Sequence, residues 1–517
     1  MIILYSLHNL GHYFNIFMEE ANVGVYSKSI RSGQWFFLNI ASQKFIGVIS
    51  FFILARLLLP ADYGAMTAVL LVIGLINQIT VIPFGDALTQ RKGDIESYLD
   101  PLWTFEIMRS VVCALFLFLV GDMSADFFHL SGSTASLMRF SGLLILIPAF
   151  ANARQIFFFK ELDFKKVFLR DVVSQIIFVV TAVAFALFFQ ASPWALFVGY
   201  AAQYFSGVLM GFILYPVPPK LSFHLYRLKD LLGYSKWSYG QDLMNFLSSQ
   251  IDKVVVGRLL SPNELGLYAK AKDLSSTATS IVFSIFDKVG FAAFSKVQDR
   301  MEKVHEGFLK SVDVIVIGAL PITMMLLLEG GAIVQIFLGT SWLPLVVPLK
   351  IFAFGNLFLV FNRVVAPVFN ALGRPDINFK INILQLVVTF PTMLIGYQIM
   401  GFRGLPYAIA ISWAIILVYV VFRARKILHI PVKDFVPALK SGFIACIGIT
   451  ALDFLFRLFD RTNLSTPVLL LQIGILGILY FVLLFSLSLR EKHGPYKTLI
   501  SIFREIGIVE RVEHNVT

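Results

Sequence analysis

Six side chains set in long apolar runs have the chemistry to do work: Lys44, Asp242, Asn245, Asp252, Lys253 and Arg363. A charge inside hydrocarbon costs several kcal/mol unless it faces a polar cavity or a partner, so such residues are read first as functional. Lys44 lies midway along an apolar stretch, in the run Asn39, Ser42, Gln43, Lys44. It is expected to be a cavity cation, the alternatives being a carboxylate partner or snorkelling to one interface. Asp242, Asn245 and Ser249 recur at spacings of three and four, so on a helix they share one face, which must turn away from lipid. Asp252 and Lys253 are adjacent and point about 100° apart, so they do not neutralise each other across a turn. Arg363 has no close sequence partner and reads equally as an inter-helix brace or a substrate contact. Cations of this kind around a cavity suit an anionic solute such as a phosphate ester, Arg offering a planar fork and Lys a mobile charge. Two other sets read as structural. Glu106 and Arg109, at i and i+3, satisfy each other as an ion pair. Arg56 and Arg258 each end a helix beside a Pro turn, where capping and headgroup contact are the commoner roles.

The elements that must carry these residues are membrane helices. The chain is 57% hydrophobic and 15% charged, has 52 Phe and a mean hydropathy of +0.79, far from a soluble composition. About fourteen apolar segments are each long enough to cross the bilayer as a helix. They fall at 33–59, 63–88, 102–121, 136–157, 168–190 and 194–215, then 235–259, 265–287, 308–328, 345–370, 377–400 and 404–424, with a final pair at 435–456 and 467–489. The expected fold is therefore an all-α polytopic membrane protein.

An internal repeat organises these spans. Trp35, Arg56, Leu57, Leu58, Pro60 and Gly64 return 202 positions later as Trp237, Arg258, Leu259, Leu260, Pro262 and Gly266, with no gap. Six helices separate the copies, an even number, so the repeats are parallel and the substrate path is expected between two six-helix lobes. The boundaries read as a leader at 1–28, an N-lobe at 29–220, a C-lobe at 221–430, two extra helices at 431–489 and a tail at 490–517. The leader lacks the pattern of a signal peptide, and Met18 is a plausible natural start. The tail's Leu499, Ile500, Phe503, Ile506 and Val509 could form one face of an interfacial helix.

Lys and Arg concentrate in alternate loops, which puts both termini in the cytoplasm. The net charge of +11 is then accounted for by topology and anionic headgroups, and nucleic acid is not expected as a partner. Cys113 and Cys446 sit singly in apolar spans, so no disulfide is expected. The eight His are scattered without ligand spacing, so neither a metal nor another cofactor is expected. No Walker loop, GxSxG elbow, HExxH helix or nucleotide-sugar motif occurs, and no loop exceeds roughly twenty residues, too short for a soluble catalytic domain. Nothing marks a catalytic residue, and the chain is read as a transporter and not an enzyme.

Four segments carry a family resemblance: Ala55 to Gly64 (ARLLLPADYG), Ile251 to Tyr268 (IDKVVVGRLLSPNELGLY), Phe337 to Pro344 (FLGTSWLP) and Ala371 to Asp376 (ALGRPD). Together they resemble the polysaccharide transporters of the MOP superfamily, the Wzx-type oligosaccharide flippases. The resemblance implies export of undecaprenyl-diphosphate-linked oligosaccharide repeat units across the bacterial inner membrane, for capsule, exopolysaccharide or O-antigen. It also implies alternating access of two lobes around a positively charged cavity, and polymerase and chain-length machinery as partners. The extra helical pair is similar to that of relatives that flip lipid-linked peptidoglycan precursors. One departure is Lys253, where family members often have Arg after the Asp: charge is kept without the bidentate geometry. Two rival readings stand beside this one. A cation-coupled antiporter of the same superfamily would prefer carboxylates, and Asp242, Asp252 and Asp313 keep it open against the cations Lys44, Lys253, Lys272 and Arg363. A membrane-embedded polysaccharide polymerase or ligase would need a large outer loop bearing Arg or His, which is absent.

Overall fold

The computed structural model describes residues 23–91, 93–285, 291–428, 436–458, 466–489 and 495–497. Most of the expected leader and tail lies outside these residues. Among the described residues the regular structure is helical throughout, with no strand. Among these described residues nine helical stretches are long and apolar enough to cross a membrane, or ten if the bent pair Ser133–Ala149 and Ala153–Lys160 is one span. One of the nine, 375–428, is itself two successive helices.

By contacts the chain divides into two compact units, the first being Arg31–Lys270 and the second Ala271–Thr517 together with the segment up to Ile30. The first contains α1 (Val23–Ala55, from Arg31), α2 (Pro60–Thr80), α3 (Phe84–Gln90), α4 (Glu96–Phe127), α5 (Ser133–Phe140), α6 (Leu143–Ala149), α7 (Ile156–Lys160), α8 (Phe164–Phe188), α9 (Pro193–Leu214), α10 (Lys229–Leu259) and the start of α11 (Pro262–Ile285). The second contains the rest of α11, then α12 (Phe291–Val297), α13 (Met301–Phe337), α14 (Val346–Ala371), α15 (Pro375–Met400), α16 (Gly404–Leu428), α17 (Val436–Leu458) and α18 (Thr466–Ser488).

The sequence repeat has a direct structural expression in the first unit. Each copy starts a helix with Pro, whose missing N–H is no loss in the first turn. In each, an acid three residues after the cap reaches back to it. The Leu59 N–H donates to Asp62 Oδ2 at 2.7 Å, and the Ser261 N–H and hydroxyl donate to Glu264 Oε2 at 3.1 and 3.0 Å. The two starts then meet. A Cβ placed on Gly64 would overlap the Pro262 carbonyl, and one on Gly266 would overlap the Pro60 carbonyl. Backbone crosses backbone at a pair of glycines, the close approach that small residues permit between membrane helices.

In the second unit the last two helices dock on α13. Val316 and Leu320 of α13 pack with Ala445, Cys446 and Ile449 of α17 and with Leu476, Tyr480 and Leu484 of α18. The α18 residues recur every four positions and form one stripe. The buried Tyr480 hydroxyl donates to Val316 O at 2.9 Å, giving the only polar end of that side chain a partner.

Candidate functional site

The unit Arg31–Lys270 encloses a cavity of about 830 Å³, within the roughly 300–1,000 Å³ of small-molecule sites. Two interrupted spans form much of its wall. The first interruption follows α2, where Pro83 has no N–H to give to Ile79 O, its acceptor in a continued helix. Tyr239 of α10 takes the vacated role, its hydroxyl donating to Ile79 O at 2.8 Å. Asn77, Gln78 and Val81, around this break, face the cavity.

The second interruption corrects the expectation of one continuous span at 136–157. Helix α6 carries Pro148, and the path bends by 65° before Ala153–Lys160. Asn152 holds the break together: its Oδ1 accepts from the Arg154 N–H at 3.0 Å, and its Nδ2 donates to Tyr215 O at 2.9 Å and Val217 O at 3.0 Å. An Asn side chain competes well with helical bonding for its own backbone, which is why the turn forms here. Pro148, Asn152 and Gln155 all line the cavity. Irregular backbone at membrane depth is tolerated where it is buried in protein or borders such a space.

Trp103, Glu106 and Arg109 present one face of α4 to the cavity. The expected ion pair forms: Arg109 Nε and Nη2 donate to Glu106 Oε2 at 2.9 and 2.8 Å. Its Nη1 also donates to Asn77 Oδ1 at 3.2 Å and Thr80 Oγ1 at 2.9 Å. The guanidinium thus pins α4 to the end of α2 beside the first break. Gln155 Oε1 accepts from Arg170 Nη1 at 2.6 Å, Arg170 Nη2 pairs with Asp171 Oδ1 at 2.7 Å, and Asp171 Oδ2 accepts from Asn39 Nδ2 at 3.0 Å. A polar chain therefore leads from the cavity wall to α1.

From α10 come Asp242, Asn245, Phe246 and Ser249, so the shared face read from spacing turns inward as expected. The other four predicted site residues lie elsewhere. Lys44 is half-buried on α1, with no hydrogen bond or ion pair among the described residues, and does not border the cavity. Asp252 is buried and its Oδ2 accepts from the Tyr268 hydroxyl at 2.9 Å, joining α10 to α11. Lys253 is half-buried beside it. Arg363 is exposed on α14, in the second unit. Residues missed from sequence are Asn77, Gln78, Trp103, Asn152 and Gln155; their common signal is a polar or indole side chain within about six residues of a proline or a charged pair in an apolar span. Among the described lining residues the charges are Glu106, Arg109 and Asp242. The remaining polar groups are amides and hydroxyls, with ring faces from Trp103, Tyr239 and Phe246. Such a wall can grip a hydroxyl-rich solute by many neutral hydrogen bonds and apolar ring contacts.

A profile of the family described as "Polysaccharide biosynthesis protein" matches residues 53–347, more than half of the chain. The chain belongs to this family. Among curated relatives, the lipopolysaccharide biosynthesis protein WzxC of Escherichia coli (strain K12) is 22% identical over 73% of this chain and 77% of its own length. The succinoglycan biosynthesis transport protein ExoT of Rhizobium meliloti (strain 1021) is 24% identical over 76% and 78%. Among solved structures, the lipid II flippase MurJ in an inward closed conformation superposes with a TM-score of 0.68 at 15% identity, covering 89% of this chain and 99% of MurJ. An inward-facing multidrug resistance MATE family transporter of the MOP superfamily gives 0.63 at 14% identity, covering 75% and 94%. The family member described here therefore has the helical fold these transporters share.

Proposed function

We propose that this chain is a flippase that carries undecaprenyl-diphosphate-linked oligosaccharide repeat units across the bacterial inner membrane by alternating access, for exopolysaccharide, capsule or O-antigen synthesis. The observation that carries the reading is the cavity of about 830 Å³ walled by two interrupted spans and by amide, hydroxyl and ring side chains. Its chemistry suits the glycan end of such a substrate, with Asp242 and Asn245 as direct contacts and Arg109 as the brace that shapes the wall. Lys44, Asp252, Lys253 and Arg363 remain in the proposed binding set as polar and cationic groups outside this wall. The full reading also has fourteen spans, lobes at 29–220 and 221–430 with an added pair at 431–489, both termini in the cytoplasm, and polymerase and chain-length proteins as partners. Family membership and the transport or biosynthesis roles in the relatives' names support it.

Glu106 and Asp242 in the cavity favour a second reading, a cation-coupled antiporter of small molecules. Deleting the gene and complementing with wild type, Asp242→Ala or Asn245→Ala at matched protein levels separates the two. Loss of polymer with lipid-linked repeat units trapped on the cytoplasmic side, restored by wild type and weakly by either variant, is the expected result. Normal polymer in the deletion strain, with raised sensitivity to cationic compounds, would replace the flippase by the antiporter.

A further inference from the structure

The wall of the cavity in the unit Arg31–Lys270 carries an acceptor that no protein group uses. Glu106 pairs with Arg109 through Oε2 alone, and its Oε1 has no partner among the described residues. The side chain lines the cavity and is 26% exposed. A carboxylate oxygen on such a wall accepts well from sugar hydroxyls, because its charge strengthens each bond. It also sets the sign of the site. Among the described lining residues Arg109 is the one cation, and each of its nitrogens already donates to Glu106, Asn77 or Thr80. A second anion entering here meets the Oε1 charge with no uncommitted guanidinium nitrogen to offset it.

Donors without partners belong to the same wall. Trp103, one turn before Glu106 on α4, lines the cavity, and its buried indole N–H makes no hydrogen bond. Gln155, another lining residue, is 9% exposed. Its Oε1 accepts from Arg170 at 2.6 Å, which fixes the orientation of the amide and leaves Nε2 buried and unbonded. A Cβ placed on Gly211 of α9 would overlap that Nε2, so the glycine makes the room the amide occupies. Buried N–H groups left unpaired are destabilising, and in a native protein each calls for a water, an ion or a ligand as partner. An indole and an amide N–H match a sugar's ring oxygen or acyl carbonyl, as the carboxylate matches its hydroxyls.

We infer that Glu106 is a specificity-determining contact for an uncharged sugar of the transported glycan, its Oε1 accepting from the sugar's hydroxyls while Trp103 and Gln155 donate to its ring or acyl oxygens. The same carboxylate turns away a sugar that bears a carboxylate at this position. The inference rests on the flippase reading and adds to it the class of sugar. One side chain then has two roles: Oε2 braces the wall through Arg109, and Oε1 reads the substrate.

The test uses two probes that differ only at C6, farnesyl-diphosphate-linked glucose and farnesyl-diphosphate-linked glucuronate. Each is titrated into the purified full-length protein in detergent while the melting temperature is followed. The wild type is expected to reach half-saturation at several-fold lower concentration of the glucose probe. Glu106→Gln, whose amide oxygen can still accept from Arg109, should weaken the glucose probe and relieve the glucuronate probe, so that the preference is lost. Trp103→Phe, which keeps a ring and loses the N–H, should weaken both probes alike. Asp122→Asn, outside the cavity, should keep the wild-type preference. A wild type that does not prefer the glucose probe overturns the inference, and so does a preference unchanged in Glu106→Gln. If neither probe shifts a wild-type protein that restores polymer to the deletion strain, selection of an uncharged sugar falls and the flippase reading stands. Normal polymer in the deletion strain removes that reading and the inference with it.

Discussion

Arg109 shows how a charge in an apolar span is settled by geometry. Its side chain is 11% exposed, and its fork serves a carboxylate on its own helix and two polar groups on α2. Arg109→Ala is expected to destabilise the protein by about 1.5–3 kcal/mol, the usual loss for a charged hydrogen-bonded group. Arg109→Lys should recover only part of this, because an ammonium cannot fill the fork; thermal unfolding in detergent reads both. Tyr268→Phe removes a hydrogen bond from the buried Asp252 carboxylate and should cost a similar about 1.5–3 kcal/mol. If Asp252 acts through that brace, polymer export at matched protein levels should stay near wild type. Spacing made the inward face of Asp242, Asn245 and Ser249 legible, because a helix fixes which residues share a side. It could not tell whether Asp252 meets a cavity or a partner, since its partner Tyr268 sits sixteen residues on in the next helix, where packing decides.

At the scale of elements, the two interruptions are the features hydropathy conceals. A window average over 136–157 or 63–88 registers apolar residues and barely notices one Pro and one Asn, yet Pro148 with Asn152, and Pro83, end helical bonding. The membrane segments were legible from composition and length; their breaks depend on which neighbour accepts the freed backbone group. Tyr239 is such a neighbour, and Tyr239→Phe should leave Ile79 O with one partner fewer at a cost of about 0.5–1.5 kcal/mol, since the bond is exposed. Pro83→Ala restores an N–H that can compete for the same carbonyl. It is expected to keep or raise thermal stability while lowering polymer export, because a straightened span would fill the cavity wall. A variant that straightens the span yet exports normally would separate the break from function.

For the whole molecule, the repeat read from sequence is the feature that carried furthest. It announced two equivalent helix starts, and the structure sets them against each other at Gly64 and Gly266. Nothing in one sequence indicates that equivalent segments touch, because contact depends on the path of the intervening chain. Gly64→Ala and Gly266→Ala should each force the crossing apart and lower the melting temperature. The double variant should cost clearly less than the sum, since both substitutions open one contact. Additive losses in a double-mutant cycle would mean the two glycines are independent.

The same contact has a historical meaning. Position 60 meets 266 as 262 meets 64, which is the reciprocity of a two-fold interface between identical subunits. A half-length ancestor pairing with a copy of itself would make this contact, and fusing two genes would preserve it inside one polypeptide. The flanking acids of the two copies differ, Asp62 at one cap and Glu264 at the other, while a glycine stands at the crossing in both.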